Sequence, residues 1–367
     1  MLKSLPVLMY HYISSWPNPI AVDPDVFESH LEGLTKAGYR GISLVEAQTF
    51  LRDGRALPDK SVLITFDDGF LDNYIYAWPL LVKHGHKGTV FAVTNKVVEE
   101  GLPRPTLSDV WSGFVGMEEL PQVNTPYNKT REGLRVRTDL FFSWQEARLM
   151  EDSGILSVAA HTHTHRSVFT SPKFDKIFLP GNRRRTFDRI EQDVIFGLPN
   201  FERGPAMAHR AFLPSEEIYA LIRTLVPQDR LEARDFLSNS GNELAVLKAL
   251  KELPPERLGR METDDEFRAR LHQDLATCHN ALVQNLGHPV HTLAWPWGKY
   301  SPEALEIAKA LGFSVFFTTE LGPNLPGKSA NAAHRFKAKN KSAKWLLSRV
   351  GIYSKPLAAR VYGKLHS

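Results

Sequence analysis

The stretch "SVLITFDDGFLDNYIYAWPLLVKHGHKGTVFAVT", residues 61–94, reads as strand, helix, strand. "SVLITF" and "GTVFAVT" are short, almost wholly apolar runs of strand length, and "LDNYIYAWPLLVKHG" between them has a helix-like pattern. Strands with apolar residues on both faces belong inside a parallel sheet, whose crossover helix covers one side.

The same unit recurs on either side. "LPVLMYHYI" is a strand near the start, followed by "DPDVFESHLEGLTKAGY". There Asp23 is placed as N-cap and Pro24 at the first helical position; Phe27, Leu31 and Leu34 share a face, and Gly38 is the stop. The rhythm resumes near residue 142 with "FSWQEARLMEDSG" and "ILSVAA". After residue 263 comes a long helix carrying Phe267, Leu271, Leu275 and Leu282, then "VHTLAW", a helix opened by Ser301 and Pro302, and "SVFFTT". Alternating units of this length predict a parallel sheet, closed as a barrel or doubly wound. Residues 98–141, rich in Pro, Gly and Asn, and residues 169–262, with helical patterns of their own, interrupt the rhythm and are expected to be insertions on the loops.

With 367 residues, 43% of them apolar and 23% charged, the chain has enough material for one barrel with insertions or for two smaller domains. No apolar run approaches eighteen residues, so no membrane span is expected. The opening "MLKSLPVLMYHYISSW" is broken by Tyr10 and His11 and reads as a buried strand rather than a secretion signal. The single cysteine, Cys278, excludes an internal disulfide and a cysteine-based metal site, and it points to the cytoplasm.

The formal charge of +4 is unevenly spread. Residues 331–367 hold nine Lys or Arg and no Asp or Glu, which leaves 36 cationic against 41 acidic residues in the remainder. A basic tail on an acidic body, with apolar residues in "WLLSRVGI" and "PLAARVYGKL", fits a helix lying on an anionic membrane surface; a last barrel helix with a solvated face fits as well. No nucleic-acid partner is expected.

Chemistry in a parallel sheet gathers at the carboxyl ends of its strands. Asp67 and Asp68 follow "LITF" there. Two adjacent carboxylates repel, and a divalent metal on one of them relieves that cost while the other stays free to take a proton. A strand-to-helix turn with a capping Asp would use the same letters. "SVAAHTHTHRSV", residues 157–168, places three histidines at another strand end. In a helical turn His161 and His165 share a face and His163 does not; in an extended segment all three do. Asp68, His161 and His165 would form a two-histidine, one-carboxylate shell with positions open for water, as catalytic zinc requires.

"TFDDG" followed by H-T-x-x-H resembles the first two motifs of the polysaccharide deacetylases, carbohydrate esterase family four, the family of nodulation-protein-B homology. The likeness extends to "LMYHYI", to "LPDKSVLITFDDGFLDNY", to "FSWQEARLMEDSGILSVAAHTHTH" and to "LAWPWGKYSPEALEIAKALGFSVFFTT". It leans toward the poly-N-acetylglucosamine deacetylase branch. The resemblance implies an irregular (β/α) barrel over residues 1–330 with two loop insertions, followed by the tail 331–367. It implies a hydrolase that removes N-acetyl groups from a sugar in a polysaccharide or a glycolipid or glycan precursor. Asp67 would be the base, Asp68, His161 and His165 the ligands of a divalent metal, zinc above all, and Trp295, Pro296, Trp297 and Gly298 the third motif, lining the substrate. Where many relatives carry R-x-P-Y-G, this chain has Ala294 and Trp297 in the Arg and Tyr positions, so Asp67 needs another orienting partner or a shifted pKa. The late Leu-x-x-His motif is missing, which leaves His11 as the proposed proton donor and His334 as the other candidate. A metal-dependent hydrolase of a non-sugar amide, or a glycan-binding relative with weakened catalysis, would retain much of the same core. Tryptophans 144, 295 and 297 are candidates for sugar stacking, and Arg183, Arg184 and Arg185 for contact with an anionic substrate.

Overall fold

The computed structural model describes residues 1–99, 101–131, 133–179 and 195–366. One eight-stranded parallel sheet dominates it. Its strands are β1 (Val7–Tyr10), β2 (Arg40–Gly41), β3 (Ser61–Asp68), β4 (Gly88–Ala92), β5 (Leu156–Ala160), β6 (Thr292–Ala294), β7 (Val315–Phe317) and β8 (Phe336–Lys337). The order is β7, β6, β5, β4, β3, β1, β8, with β2 on the first residues of β3. All eight residues of β3 are buried, as expected for a strand covered on both faces. Its register sets Asp67 beside Phe91 and Asp68 beside Ala92.

The two ends of the sheet are joined through one short segment. Residues 330–333 bond to β7 through Phe316 N–H to Ala330 O at 2.7 Å and Ala333 N–H to Phe316 O at 2.8 Å. The chain then enters β8, which pairs with β1. The sheet is a curled, irregular (β/α) barrel, closed by a connection rather than by a long strand.

The helices follow local signals. In α1 (Pro24–Lys36) the Asp23 side chain accepts from Asp25 N–H at 3.0 Å, and Gly38 follows with φ 77°. The expected helix between β3 and β4 is split into a π-helical turn, Asn73–Ala77, and α3 (Trp78–His84). Pro79 has no N–H to give, and Trp78 N–H bonds back to Asn73 O across the wider turn. Between α1 and β3 lies α2 (Leu44–Asp53), and further on α4 (Trp144–Asp152) is opened by a Ser143–Glu146 capping box. α5 (Asp264–Leu286) buries Phe267, Leu271, Leu275 and Leu282 as the periodicity requires, and α6 (Pro302–Ala310) starts at Ser301 and Pro302.

The segment 98–141 contributes a short helix, Leu107–Trp111, and an antiparallel pair, Tyr127–Thr130 with Gly133–Val136. The second interruption has an apolar cluster separate from the barrel core, built from residues such as Phe178, Phe201, Phe212, Ile222 and Leu250. It begins with an antiparallel pair, Ser167–Phe169 against Arg203–Pro205, two residues ahead of the boundary read from sequence. Arg183, Arg184 and Arg185 lie outside the described residues.

Residues of the basic segment 331–367 take part in the barrel, as the reading of a last barrel helix expects. Arg335 is buried, β8 belongs to the main sheet, and α7 (Ala343–Tyr353) packs on α1. The contact of α7 with α1 is so close that a Cβ at Gly33 would come within 2.9 Å of Ala343 Cβ. α8 (Pro356–His366) presents an apolar stripe outward. Among the described residues no helix is long and apolar enough to cross a membrane.

Candidate active site

The site lies at the carboxyl ends of β3, β5 and β6. Asp68 ends β3, and His161 follows β5 directly. His161 Nδ1–H donates to Ala294 O at 2.7 Å, which leaves the Nε2 lone pair facing the carboxylates. Asp68 Oδ1 stands 3.5 Å from His161 Nε2 and 3.5 Å from His165 Nε2. All three side chains are buried, with one ligand atom from each within 4.8 Å of the others. Two atoms each about 2.1 Å from a shared ion, at a tetrahedral angle, lie about 3.4 Å apart. Donor set and spacing therefore fit one divalent cation. Burial in the first place, and the charge of Arg335, lower the His161 pKa to about 4, so its imidazole is neutral and able to ligate at pH 7.

The reason His163 stays out differs from the helical turn expected. Residues 161–165 are neither helical nor extended: Thr162 and His165 have φ of 66° and 47°. Among the described residues five non-glycines have positive φ, and four of them, Asp68, Thr162, His165 and Trp297, belong to this site. Backbone in this region is strained and persists where surrounding contacts over-determine it. One such contact is Asp274 on α5, whose buried carboxylate accepts from His163 N–H at 2.8 Å, Thr164 N–H at 3.2 Å and Thr164 Oγ1–H at 2.5 Å. The His163 ring turns away and bonds Thr94 Oγ1 through Nδ1 at 2.9 Å.

Asp67 finds the partner that the sequence left open. Arg335 NH1 donates to Asp67 Oδ1 at 2.6 Å and NH2 to Oδ2 at 2.9 Å, while its Nε–H donates to Thr318 O at 3.0 Å. Burial raises the Asp67 pKa, but the Arg335 charge, helped by His161 and His11, outweighs it and holds the group at about 2. The two adjacent carboxylates thus have separate counter-charges, a guanidinium for Asp67 and the cation position for Asp68. Sequence reading missed Arg335 because it counted that residue among the charges of a tail. The available signal was the demand itself: with Ala294 in the Arg position, a cation had to come from elsewhere.

His11, between β1 and the strand Tyr12–Ile13, belongs to the same site. Its Nδ1 is buried and has no hydrogen-bond partner among the described residues. Burial lowers its pKa to about 4, Asp67 opposes the shift, and Arg335, Lys337 and His165 add to it. Its backbone carbonyl accepts from Asn73 Nδ2 at 2.9 Å. The His334 backbone exchanges bonds with the Asn324 side chain at 2.7 and 2.8 Å, and its ring Nδ1, like that of His11, is buried with no hydrogen-bond partner among the described residues.

The third motif is only partly available to a substrate. Trp295 is in the core, stacked on Phe316 and Tyr300, and Pro296 and Gly298 are buried, which leaves Trp297 as the half-buried member of the four. Trp144 is buried as well. Trp297, with φ 54°, turns out of the strand alternation and lays its ring 4.4 Å from that of His165.

Residues 54–183 match the family model described as polysaccharide deacetylase. YxkH, a provisionally named polysaccharide deacetylase of Bacillus subtilis (strain 168), is 43% identical over 93 residues, 25% of this chain and 33% of that protein. The poly-beta-1,6-N-acetyl-D-glucosamine N-deacetylase of Escherichia coli (strain K12) is 21% identical over 292 residues, 79% of this chain and 29% of that protein. The chain spans about a third of the length of these curated relatives. A de-N-acetylase from Aggregatibacter actinomycetemcomitans superposes with a TM-score of 0.59 at 17% identity, over 95% of this chain and 100% of that one. The deacetylase domain of BpsB from Bordetella bronchiseptica gives 0.54 at 21% identity, over 92% and 96%. These two structures share the fold of the barrel.

Proposed function

We propose that this chain, whose residues 54–183 match the polysaccharide deacetylase model, is a zinc-dependent hydrolase that removes N-acetyl groups from a sugar within a glycan. One observation carries the reading: a carboxylate clasped by Arg335 lies beside a separate two-histidine, one-carboxylate donor set, with His161 Nε2 4.0 Å from Asp67 Oδ2. A protein that merely held a metal would need Asp68 and the histidines. A second carboxylate kept ionised next to them is what an amide hydrolase adds.

A divalent ion held by Asp68, His161 and His165 would supply Lewis acidity, polarising the acetamide carbonyl and acidifying the attacking water. Asp67 accepts that water's proton as its oxygen bonds to the carbonyl carbon. Arg335 fixes both carboxylate oxygens and keeps Asp67 deprotonated, at the cost of weak basicity. When the carbon–nitrogen bond breaks, the proton that Asp67 took from the water passes by way of His11 to the amine nitrogen, and acetate and a free amino sugar result. His11 is neutral at rest near pH 7, so it must receive that proton during turnover. Trp297 covers His165 and keeps bulk water from that side of the ligands. Borderline-soft zinc suits two imidazoles and one carboxylate.

The test is acetate release from a panel of N-acetylated glycans by metal-free and zinc-reloaded protein. Asp67→Asn should retain zinc and lose turnover by at least about a hundredfold, the usual size of a general-base contribution. Wild-type rates in that variant would remove Asp67 from the mechanism. A loaded protein that releases no acetate from any glycan would remove the substrate class.

The same reading includes a place of work at an anionic membrane surface. On α8, Leu357, Val361 and Leu365 are 74%, 52% and 73% exposed in one stripe, with Arg360 and Lys364 along its edge. Such a face supports weak, reversible, salt-sensitive attachment.

A further inference from the structure

Three consecutive residues, His11, Tyr12 and Ile13, are each held by a residue of one short segment. His11 O accepts from Asn73 Nδ2 at 2.9 Å, the Tyr12 ring stacks on that of Phe70 with centroids 3.6 Å apart, and Ile13 N–H donates to Asp72 Oδ2 at 2.9 Å. Asn73 Nδ2 also donates to Asp72 Oδ1 at 3.0 Å, so the two side chains grip the strand as one unit. Tyr12, Ile13, Phe70, Asp72 and Asn73 are all buried. The gripping segment follows Asp67 and Asp68 in the chain and runs into the π-helical turn Asn73–Ala77, a form frequent at functional sites. The His11 ring has no such support of its own, since its Nδ1 bonds nothing among the described residues. Its place is therefore set through its backbone.

We infer that Asp72 and Asn73 are positioning residues for the proton transfer: they fix the backbone of residues 11–13 so that the His11 ring stands where it can pass a proton from Asp67 to the departing amine. The inference rests on the deacetylase reading and adds to it the part that seats the proton carrier. One run of the chain, residues 67–73, then supplies the base, a metal ligand and that seat. The two halves of the reaction make different demands on it. Attack by water, which Asp67 serves, is common to amides and esters. An amide nitrogen leaves only once protonated, whereas 4-nitrophenolate leaves without a proton.

The experiment compares wild type, His11→Ala, Asn73→Ala and Asp72→Asn, zinc-loaded, on an N-acetylated glycan and on 4-nitrophenyl acetate. Asn73→Ala removes the donor to His11 O, and in Asp72→Asn one carbonyl cannot hold both donors that Asp72 takes. Each should lose about 10–100-fold on the amide, as a displacement of about 1 Å does, and stay within about threefold of wild type on the ester. Combined with His11→Ala, neither should add a further loss, because both act through that ring. Equal losses on amide and ester, losses that add to that of His11→Ala, or wild-type rates on the amide would overturn the inference. If Asn73→Ala does not fold, Asp72→Asn, which keeps the side-chain volume, carries the comparison. If wild type releases no acetate from any glycan, the deacetylase reading fails on its own, and NMR titration of the His11 ring in the metal-free protein then decides. A midpoint of about 4 in wild type that rises toward 6.5 in the variants upholds the positioning, and equal midpoints overturn it.

Discussion

Arg335 clasps Asp67 with both ends of its guanidinium, across 268 residues of sequence, and both side chains are buried. Removing one member of such a pair leaves an uncompensated buried charge and costs about 3–5 kcal/mol. Arg335→Met should lower stability by that amount in urea unfolding and abolish measurable acetate release. Adding Asp67→Asn to it should restore most of the stability and none of the activity. A double variant as unstable as the single one would mean that Arg335 serves the closing segment alone.

Stability of the metal-free protein should fall on mild acidification. His161 and His11 have pKa values lowered from 6.5 to about 4, so between those values the unfolded chain binds more protons and folding is favoured by higher pH. Each histidine contributes a slope of about 1.4 kcal/mol per pH unit in that window, with its full contribution present above pH 6.5. Asp67, lowered from 3.8 to about 2, adds a loss only below pH 4. Urea midpoints from pH 8 to pH 4 check this, and a slope unchanged in His161→Gln would contradict it.

His161→Ala, His165→Ala and Asp68→Ala should each strip zinc from the protein, whereas His163→Ala should keep most of it. The His163 ring bonds Thr94 and faces away from the ligand atoms. Metal content after gel filtration separates the four variants, and loss of zinc from His163→Ala would mean the loop rearranges on loading.

Asp274→Asn should weaken zinc binding by about 10–100-fold, as changes behind metal ligands do. An amide cannot accept from both His163 N–H and the two Thr164 donors that Asp274 takes. Competition titration with a chelator measures the affinity. An unchanged affinity with a lowered melting temperature would assign Asp274 to stability only.

Leu357→Ser with Leu365→Ser should abolish co-sedimentation with anionic vesicles at low salt and leave acetate release from soluble oligomers intact. Wild type should detach at high salt, because the attraction between exposed charges is screened over about 10 Å at 0.1 M. A wild type that ignores anionic vesicles removes the membrane proposal, and one that dimerises through α8 reassigns the stripe.

Much of the protein was legible in the chain because it is local. The apolar runs of β3, β4 and β5, the Asp23 cap and the periodicity of α5 each depend on neighbours within a few residues. A parallel sheet then brings every strand end to one rim, which is why Asp68 and His161 could be paired from sequence alone.

Tertiary structure decided what no local rule reaches. β8 is two residues long and takes its place from pairing with β1, not from its own propensity, so Arg335 could be read only as one more tail charge. The Trp295 and Trp297 rings part company because φ 54° at Trp297 breaks the alternation that would have set them on one side. Which histidine stays out depends on the loop geometry, which no local rule gave, since Asp274 fixes it from 111 residues away. The chain specifies which groups reach the rim; the closed sheet and the packing of α5 specify how their charges are paired there, because buried electrostatics depend on distances of a few ångströms that sequence separation does not encode.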